Sequence, residues 1–76
     1  MNSIMNIQEF VAANKRGYFL ERKRGTDTIA ESQVNMTLGA VIFAHSAGLI
    51  DFDEREKLLD EILNWSIEYY ETRKND

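Results

Sequence analysis

Hydrophobic residues in the last third of the chain recur at the three- and four-residue spacing of an α-helix. The spacing predicts one long helix from Phe52 to about Thr72, with two apolar stripes roughly 100° apart. The first stripe contains Phe52, Leu59, Leu63 and Tyr70. The second stripe contains Leu58, Ile62, Trp65 and Tyr69. Together the stripes cover an arc of about 200°, twice what a single packing surface requires.

One of the two stripes is sufficient for packing against the preceding helix. The other needs a different neighbour. The candidates are a helix nearer the N-terminus (helix one, described below), a second copy of the chain, or a partner protein. We interpret the second stripe, Leu58–Ile62–Trp65–Tyr69, as a protein-binding face.

The middle of the chain predicts a helix from about Ile29 to Ala47, with Gly48 as a left-handed C-terminal cap. Its small and polar positions form a single strip of Ser32, Asn35, Gly39 and Ser46. A helix that is apolar almost all round is usually buried on most sides, so we expect this one at the centre of the fold. The short connection 48–51 predicts an antiparallel helical hairpin with the long third helix.

A further helix is predicted to begin near Ile7 and to bury Phe10 and Val11. Its end has two solutions, because basic residues followed by a glycine occur at both Gly17 and Gly25. We favour a break at Gly17. The expected organisation is one all-α, three-helix domain over residues 1–76, with an N-terminal helix at 6–16, a basic connector at 17–27, and the hairpin with a short polar tail at 28–76.

Each predicted helix start carries a capping signature. The pairs are Asn6–Glu9, Thr28–Glu31 and Asp51–Glu54. The first side chain of each pair is placed to accept a hydrogen bond from a free backbone N–H, and the acid three residues later can bond back. Thr28–Glu31 has the most typical residue types of the three.

The composition agrees with a small globular helical protein. The chain has 76 residues, of which 43% are hydrophobic, and it contains no proline and no cysteine. Disulfides and thiolate metal sites are therefore excluded, and the lack of cysteine suits the reducing cytoplasm, where we expect the protein. A domain of this size is marginally stable alone, so we expect self-association, most simply as a homodimer.

No charged side chain occurs from Ser32 to Ile50, a stretch of the minimum length for a membrane span. The stretch contains several polar side chains, so a buried helix is the better interpretation, and we expect no membrane contact. The first residues, Met1 to Asn6, lack the basic and apolar segments of a signal peptide.

The net charge of −4 is distributed unevenly along the chain. Residues 1–25 carry five basic and two acidic side chains, a local +3, whereas residues 26–48 carry −2 and residues 49–76 carry −5. The negative total weighs against sequence-independent binding of nucleic acid, which requires many cations to neutralise phosphates.

Five cations lie close to aromatic residues in the segment 15–24. They are Lys15, Arg16, Arg22, Lys23 and Arg24, beside Tyr18 and Phe19. This combination suits phosphates and stacked bases, an acidic protein partner, or the acidic third helix of a second copy. The alternative is that the aromatic residues belong to the core and the cations only solvate the helix ends.

Residues 18–24 also allow a short strand ahead of two helices. Arg22 and Arg24 would then point to one face of the strand, with Tyr18 and Leu20. The order strand–helix–helix over about residues 18–70 resembles the ribbon–helix–helix repressors. The resemblance implies an intertwined dimer whose paired strand enters the major groove of DNA. The chain departs from that family in its long second helix and in the extra helix before the strand.

The sequence offers little for catalysis or metal binding. His45 is the only histidine, so we expect a structural residue in the last turn of the second helix. The segment 44–48 is similar to the nucleophile elbow of α/β-hydrolases, but no histidine follows it and the chain is too short for that sheet. We therefore expect no catalytic residue, no cofactor and no metal.

The function predicted from the sequence is a non-enzymatic protein-binding regulator or inhibitor that acts through a helical surface. The alternative is a dimeric DNA-binding transcriptional regulator, of the ribbon–helix–helix or another helical type, which uses the basic segment 15–24. A third mechanism, within the inhibitor class, uses the carboxylates of helix three to imitate the charge of DNA. The sequence leaves the identity of the protein partner open.

Overall fold

The computed structural model describes residues 6–74, and all regular structure in that range is helical. The helices are α1 (Ile7–Arg24), α2 (Asp27–Ser46), α3 (Phe52–Leu63) and α4 (Trp65–Lys74). The all-α class and the hairpin of α2 and α3 are confirmed. The residues that argued against a signal peptide are mainly 1–5, which lie outside the described residues. The end of the predicted polar tail, at 75–76, also lies outside them.

Helix α1 continues through Gly17 without a break. The expected helix at 6–16 and connector at 17–27 are therefore wrong, and the second solution, an end near Gly25, is the one the chain adopts. A Cβ atom at Gly17 would lie 2.6 Å from Nε2 of Gln33 on α2. The glycine makes room for this side chain between two packed helices, so its role is in packing and not in ending α1.

The connection between α1 and α2 consists of Gly25 and Thr26 only. Gly25 has a φ of 85°, and the N–H of Thr26 donates to the carbonyl of Glu21 at 2.9 Å, which closes the helix end. Because the connection is so short, α2 begins at Asp27 and Thr28 lies inside it. The expected Thr28–Glu31 capping box is therefore wrong, and the N-cap position belongs to Thr26.

The other two capping predictions agree with the structure to different extents. Asn6 and Glu9 form a full capping box. The N–H of Glu9 donates to Oδ1 of Asn6 at 2.8 Å, and the N–H of Asn6 donates to Oε1 of Glu9 at 3.1 Å. At α3, Asp51 accepts from the N–H of Glu54 at 2.8 Å. The carboxylate of Glu54 instead accepts a bond of 2.6 Å from the side chain of Gln8 on α1. This cap therefore also links two helices.

Helix α2 is exposed along one face, which contradicts the expectation that it is buried on most sides. The large apolar side chains on that face are Ile29, Met36, Ile42 and Phe43, which are 51%, 54%, 46% and 69% exposed. The buried positions of α2 are Ala30, Thr37, Val41 and Ala44. Helices α1 and α3 cover only the side that carries these buried residues. An apolar sequence alone does not require neighbours on every side.

The predicted third helix is divided at Asn64. Helix α3 ends at Leu63 and α4 begins at Trp65, so the single helix expected to about Thr72 is two helices. The N–H of Asn64 lies 3.1 Å from the carbonyl of Asp60 and 3.2 Å from that of Glu61. This shared bond tightens the last turn of α3. The two helices nevertheless follow each other directly.

The centre of the core is an aromatic cluster that joins α1 to α4. Trp65 is fully buried, and its ring lies 5.6 Å from the ring of Tyr18. The ring of Tyr69 meets Phe19 edge-on at 5.4 Å. Such offset and edge-on ring pairs add to the stabilisation that burial alone provides.

Replacement of Trp65 tests this core. Trp65→Ala should lower the free energy of unfolding by about 3–5 kcal/mol, because it removes the largest buried side chain and leaves a cavity. That is a large part of the roughly 4–11 kcal/mol expected for a domain of this size. Trp65→Phe should have a smaller effect, since a ring remains against Tyr18. Urea unfolding followed by circular dichroism measures both, and equal losses for the two variants would contradict the proposed ring packing.

Candidate functional site

The second stripe of the predicted third helix lies inside the protein. Leu58, Ile62, Trp65 and Tyr69 are 4%, 1%, 0% and 8% exposed and belong to the core. The neighbour that covers the stripe is α1, through rings such as that of Tyr18. The expectation that these four residues form a free protein-binding face is therefore corrected. Of the three neighbours considered, helix one fills the extra apolar arc.

Burial of the second stripe leaves part of the first stripe in solvent. Leu63 is 60% and Tyr70 64% exposed, and Ile67 between them is 57% exposed. We call Leu63, Ile67 and Tyr70 the outer stripe. Sequence reasoning missed Ile67, although its spacing of four from Leu63 and three from Tyr70 is the signal of one helical face. A group of three large apolar side chains in solvent is a candidate contact surface.

Two neighbouring clefts border the outer stripe. The larger, of about 650 Å³, is lined by Tyr18, Arg22, Asp27, Glu31, Val34, Asn35, Ile62, Leu63 and Ser66. The smaller, of about 370 Å³, is lined by Arg22, Gly25, Asp27, Tyr69, Tyr70 and Arg73. Leu63 thus stands at the first cleft and Tyr70 at the second, while Arg22 and Asp27 line both. The outer stripe and this charged pair therefore form one surface.

Arg22 is the most constrained side chain of this surface. Its Nη1 donates to the hydroxyl of Tyr18 at 2.5 Å, and its Nε lies 3.3 Å from Oδ1 of Asp27. The guanidinium also stands over the ring of Tyr69, 4.8 Å from its centre. Arg22 therefore contacts residues of α1, α2 and α4 at once. A guanidinium held in this way presents its remaining donors in a fixed direction.

The basic segment is largely engaged with acids of the same chain. Lys15 pairs with Glu68 at 2.5 Å, and Arg24 lies 3.9 Å from Glu21. Arg22 pairs with Asp27 as described. Tyr18 is buried, whereas Arg16 and Lys23 are exposed. The predicted nucleic-acid set Lys15, Arg16, Tyr18, Arg22, Lys23 and Arg24 is therefore divided between the core, ion pairs and the surface.

Residues 18–24 are helical, so the resemblance to ribbon–helix–helix repressors does not hold. That family reads DNA with a strand, and the backbone bonds of this segment are used within α1. Helix α1 ends only at its cap, Gly25, so it includes every residue that the strand would need.

The structure also bears on His45, on metal binding and on membrane spans. His45 lies in the last turn of α2, with its ring edge-on to Phe52 at 6.1 Å. Within residues 6–74, no group of three histidine, aspartate or glutamate side chains is arranged to hold a metal ion. Over the same range, no helix combines the length and the apolar character needed to cross a membrane.

Comparisons of the chain with protein-family models, with curated proteins and with solved structures find no match.

Substitution of Arg22 tests whether it orders the candidate surface. Arg22→Met should lower the free energy of unfolding by about 1–2 kcal/mol, because a hydrogen bond and two ring contacts are lost. Asp27→Asn should cost less than about 1 kcal/mol, since its carboxylate is mostly in solvent. Thermal unfolding of both variants measures the difference. A larger loss for Asp27→Asn would show that the ion pair, and not the ring contacts, holds the arginine.

Proposed function

We propose that this chain is a non-enzymatic protein-binding regulator or inhibitor whose contact surface is the outer stripe with its two clefts. The observation that supports this most directly is the exposure of Leu63, Ile67 and Tyr70 beside an ordered arginine. Exposed apolar groups rimmed by polar residues are typical of protein contact sites. Tyrosine and arginine are also the residue types that contribute most often to binding energy.

The geometry favours a partner of a particular chemistry. An apolar anchor of the partner fits against Leu63 and Ile62 in the larger cleft, while Arg22 offers donors to a carboxylate or carbonyl. The acids Asp27 and Glu31 on the opposite wall oppose a strongly acidic partner segment. The partner segment is therefore amphipathic, with at most one acidic group near Arg22. We further propose that the protein acts in the cytoplasm, which its lack of cysteine supports.

Affinity capture with surface variants tests the proposed function. The tagged chain should retain a protein from an extract of the cells that express it, and Leu63→Ser with Tyr70→Ser should reduce its recovery at least tenfold. A loss of about 1.4 kcal/mol in binding is sufficient for a tenfold change. The expected result is one specific protein that is lost with the variant and is insensitive to nuclease.

The matched control carries the same loss of apolar surface on other parts of the protein. Leu20 on α1 and Leu49 before α3 are 47% and 72% exposed, so Leu20→Ser with Leu49→Ser removes a similar area. This control should retain the partner, and circular dichroism should show both variants folded. Recovery that is unchanged in the outer-stripe variant would contradict the proposal. Recovery that disappears with nuclease would favour the nucleic-acid alternative through Arg16 and Lys23.

A further inference from the structure

The exposed face of α2 repeats every seven residues. Large apolar side chains alternate there with small ones, in the order Ile29, Ser32, Met36, Gly39, Phe43 and Ser46. All six are exposed. Spacings of three and four in alternation are those of a coiled-coil contact line. We call these six residues the α2 seam; it faces away from the buried positions of the same helix.

The α2 seam and its borders carry no charge. The flanking positions on either side are Thr28, Gln33, Asn35, Ala40, Ile42 and Ala47. Each copy has a net charge of −4, so two copies repel each other on average. A neutral face is where they can meet without opposing like charges. This property selects a second copy over a strongly charged partner.

Packing among residues 6–74 of one chain gives no reason for a glycine at position 39, in the centre of the seam. Gly39 has an ordinary helical backbone, and among the described residues no atom lies within 4 Å of a Cβ added there. Gly17, by contrast, has Gln33 against it. Glycine is unfavourable inside a helix, so an exposed one at this position indicates close approach of another molecule.

We propose that two copies of the chain pair through α2 in an antiparallel arrangement. Two-fold symmetry about a point between residues 37 and 38 then places each large seam residue opposite a small one of the other copy. The opposed pairs are Ile29 with Ser46, Met36 with Gly39, and Phe43 with Ser32. A parallel pair would instead set phenylalanine against phenylalanine and glycine against glycine, which alternates crowding with voids.

The available area is consistent with a weak but specific dimer. At their exposed fractions of 46–69%, Ile29, Met36, Ile42 and Phe43 present on the order of 400 Å² of apolar surface in each copy. With the small residues between them, a pair buries roughly 1,200 Å², the lower end of stable interfaces. The dimer therefore forms in a concentration-dependent way.

Sedimentation velocity on the full chain tests the pairing. Between about 1 and 500 µM, the parent should change from monomer to dimer. Met36→Glu places two acids near the two-fold axis and should remain monomeric throughout. Ala12→Glu adds the same charge at an exposed position of α1 and should dimerise like the parent. A parent that is monomeric at every concentration, or a Met36→Glu variant that dimerises, overturns the proposal.

Gly39→Leu separates folding from association. Because nothing in the described chain meets a Cβ at this position, and leucine favours helix, the variant should fold at least as stably as the parent when both are dilute. The added side chain collides with Met36 of the second copy, so the dimer dissociation constant should rise at least tenfold. A folded variant whose dissociation constant is unchanged overturns the central role of Gly39.

Spin labels determine the relative direction of the two helices, and the chain has no cysteine of its own to interfere. With a rise of about 1.5 Å per residue, labels on Thr28→Cys should lie about 28 Å apart along the helix axes, and labels on Asn35→Cys about 8 Å apart. A parallel pair in register gives the same separation at both positions. Equal separations therefore overturn the antiparallel arrangement.

The α2 seam does not include the outer stripe, so this inference and the proposed function can fail independently.

Discussion

The contact between Trp65 and Tyr18 determines which surfaces of this protein are available. With its ring 5.6 Å from that of Tyr18, Trp65 turns one side of α4 inward and holds it against α1. The opposite side, with Ile67 and Tyr70, faces solvent, because no helix of the described residues covers it. The contact that forms the core therefore also determines which side chains of α4 lie at the surface. The burial of Trp65 thus decides which side of α4 remains exposed.

Most features that depend on neighbouring residues could be predicted from the sequence, with the Thr28–Glu31 cap as the exception, and features that depend on distant residues could not. Asn6, Asp51 and Gly48 act within one helical turn, so their residue types predicted the ends they form. Gly17 was misinterpreted because a glycine after basic residues has the same local pattern whether it caps a helix or accommodates Gln33 from another one. The difference lies 16 positions away along the chain, beyond any local signal.

The candidate site shows the same division. Periodicity predicted two apolar stripes on the third helical region. The second is buried as a unit, whereas the first is divided, with Leu59 packed against the core and Leu63 and Tyr70 exposed. Their assignment required knowledge of where α1 lies, which periodicity does not contain. Leu58 and Ile62, which were predicted at the surface, accordingly lie in the core, and Leu63 borders a cleft. The break at Asn64 was also beyond prediction, since Asn14 and Asn35 lie inside uninterrupted helices of the same chain.

Arg22 has a consequence for how this protein can change during evolution. Its side chain is in contact with Tyr18, Asp27 and Tyr69, which belong to three different helices. A substitution at any of these positions alters a group that the other two share, so its effect depends on which residues are already present there. Sequences descended from a common ancestor should therefore keep or exchange the four residues as a set. Arg22 therefore couples the substitutions that three helices can accept, in addition to holding those helices together.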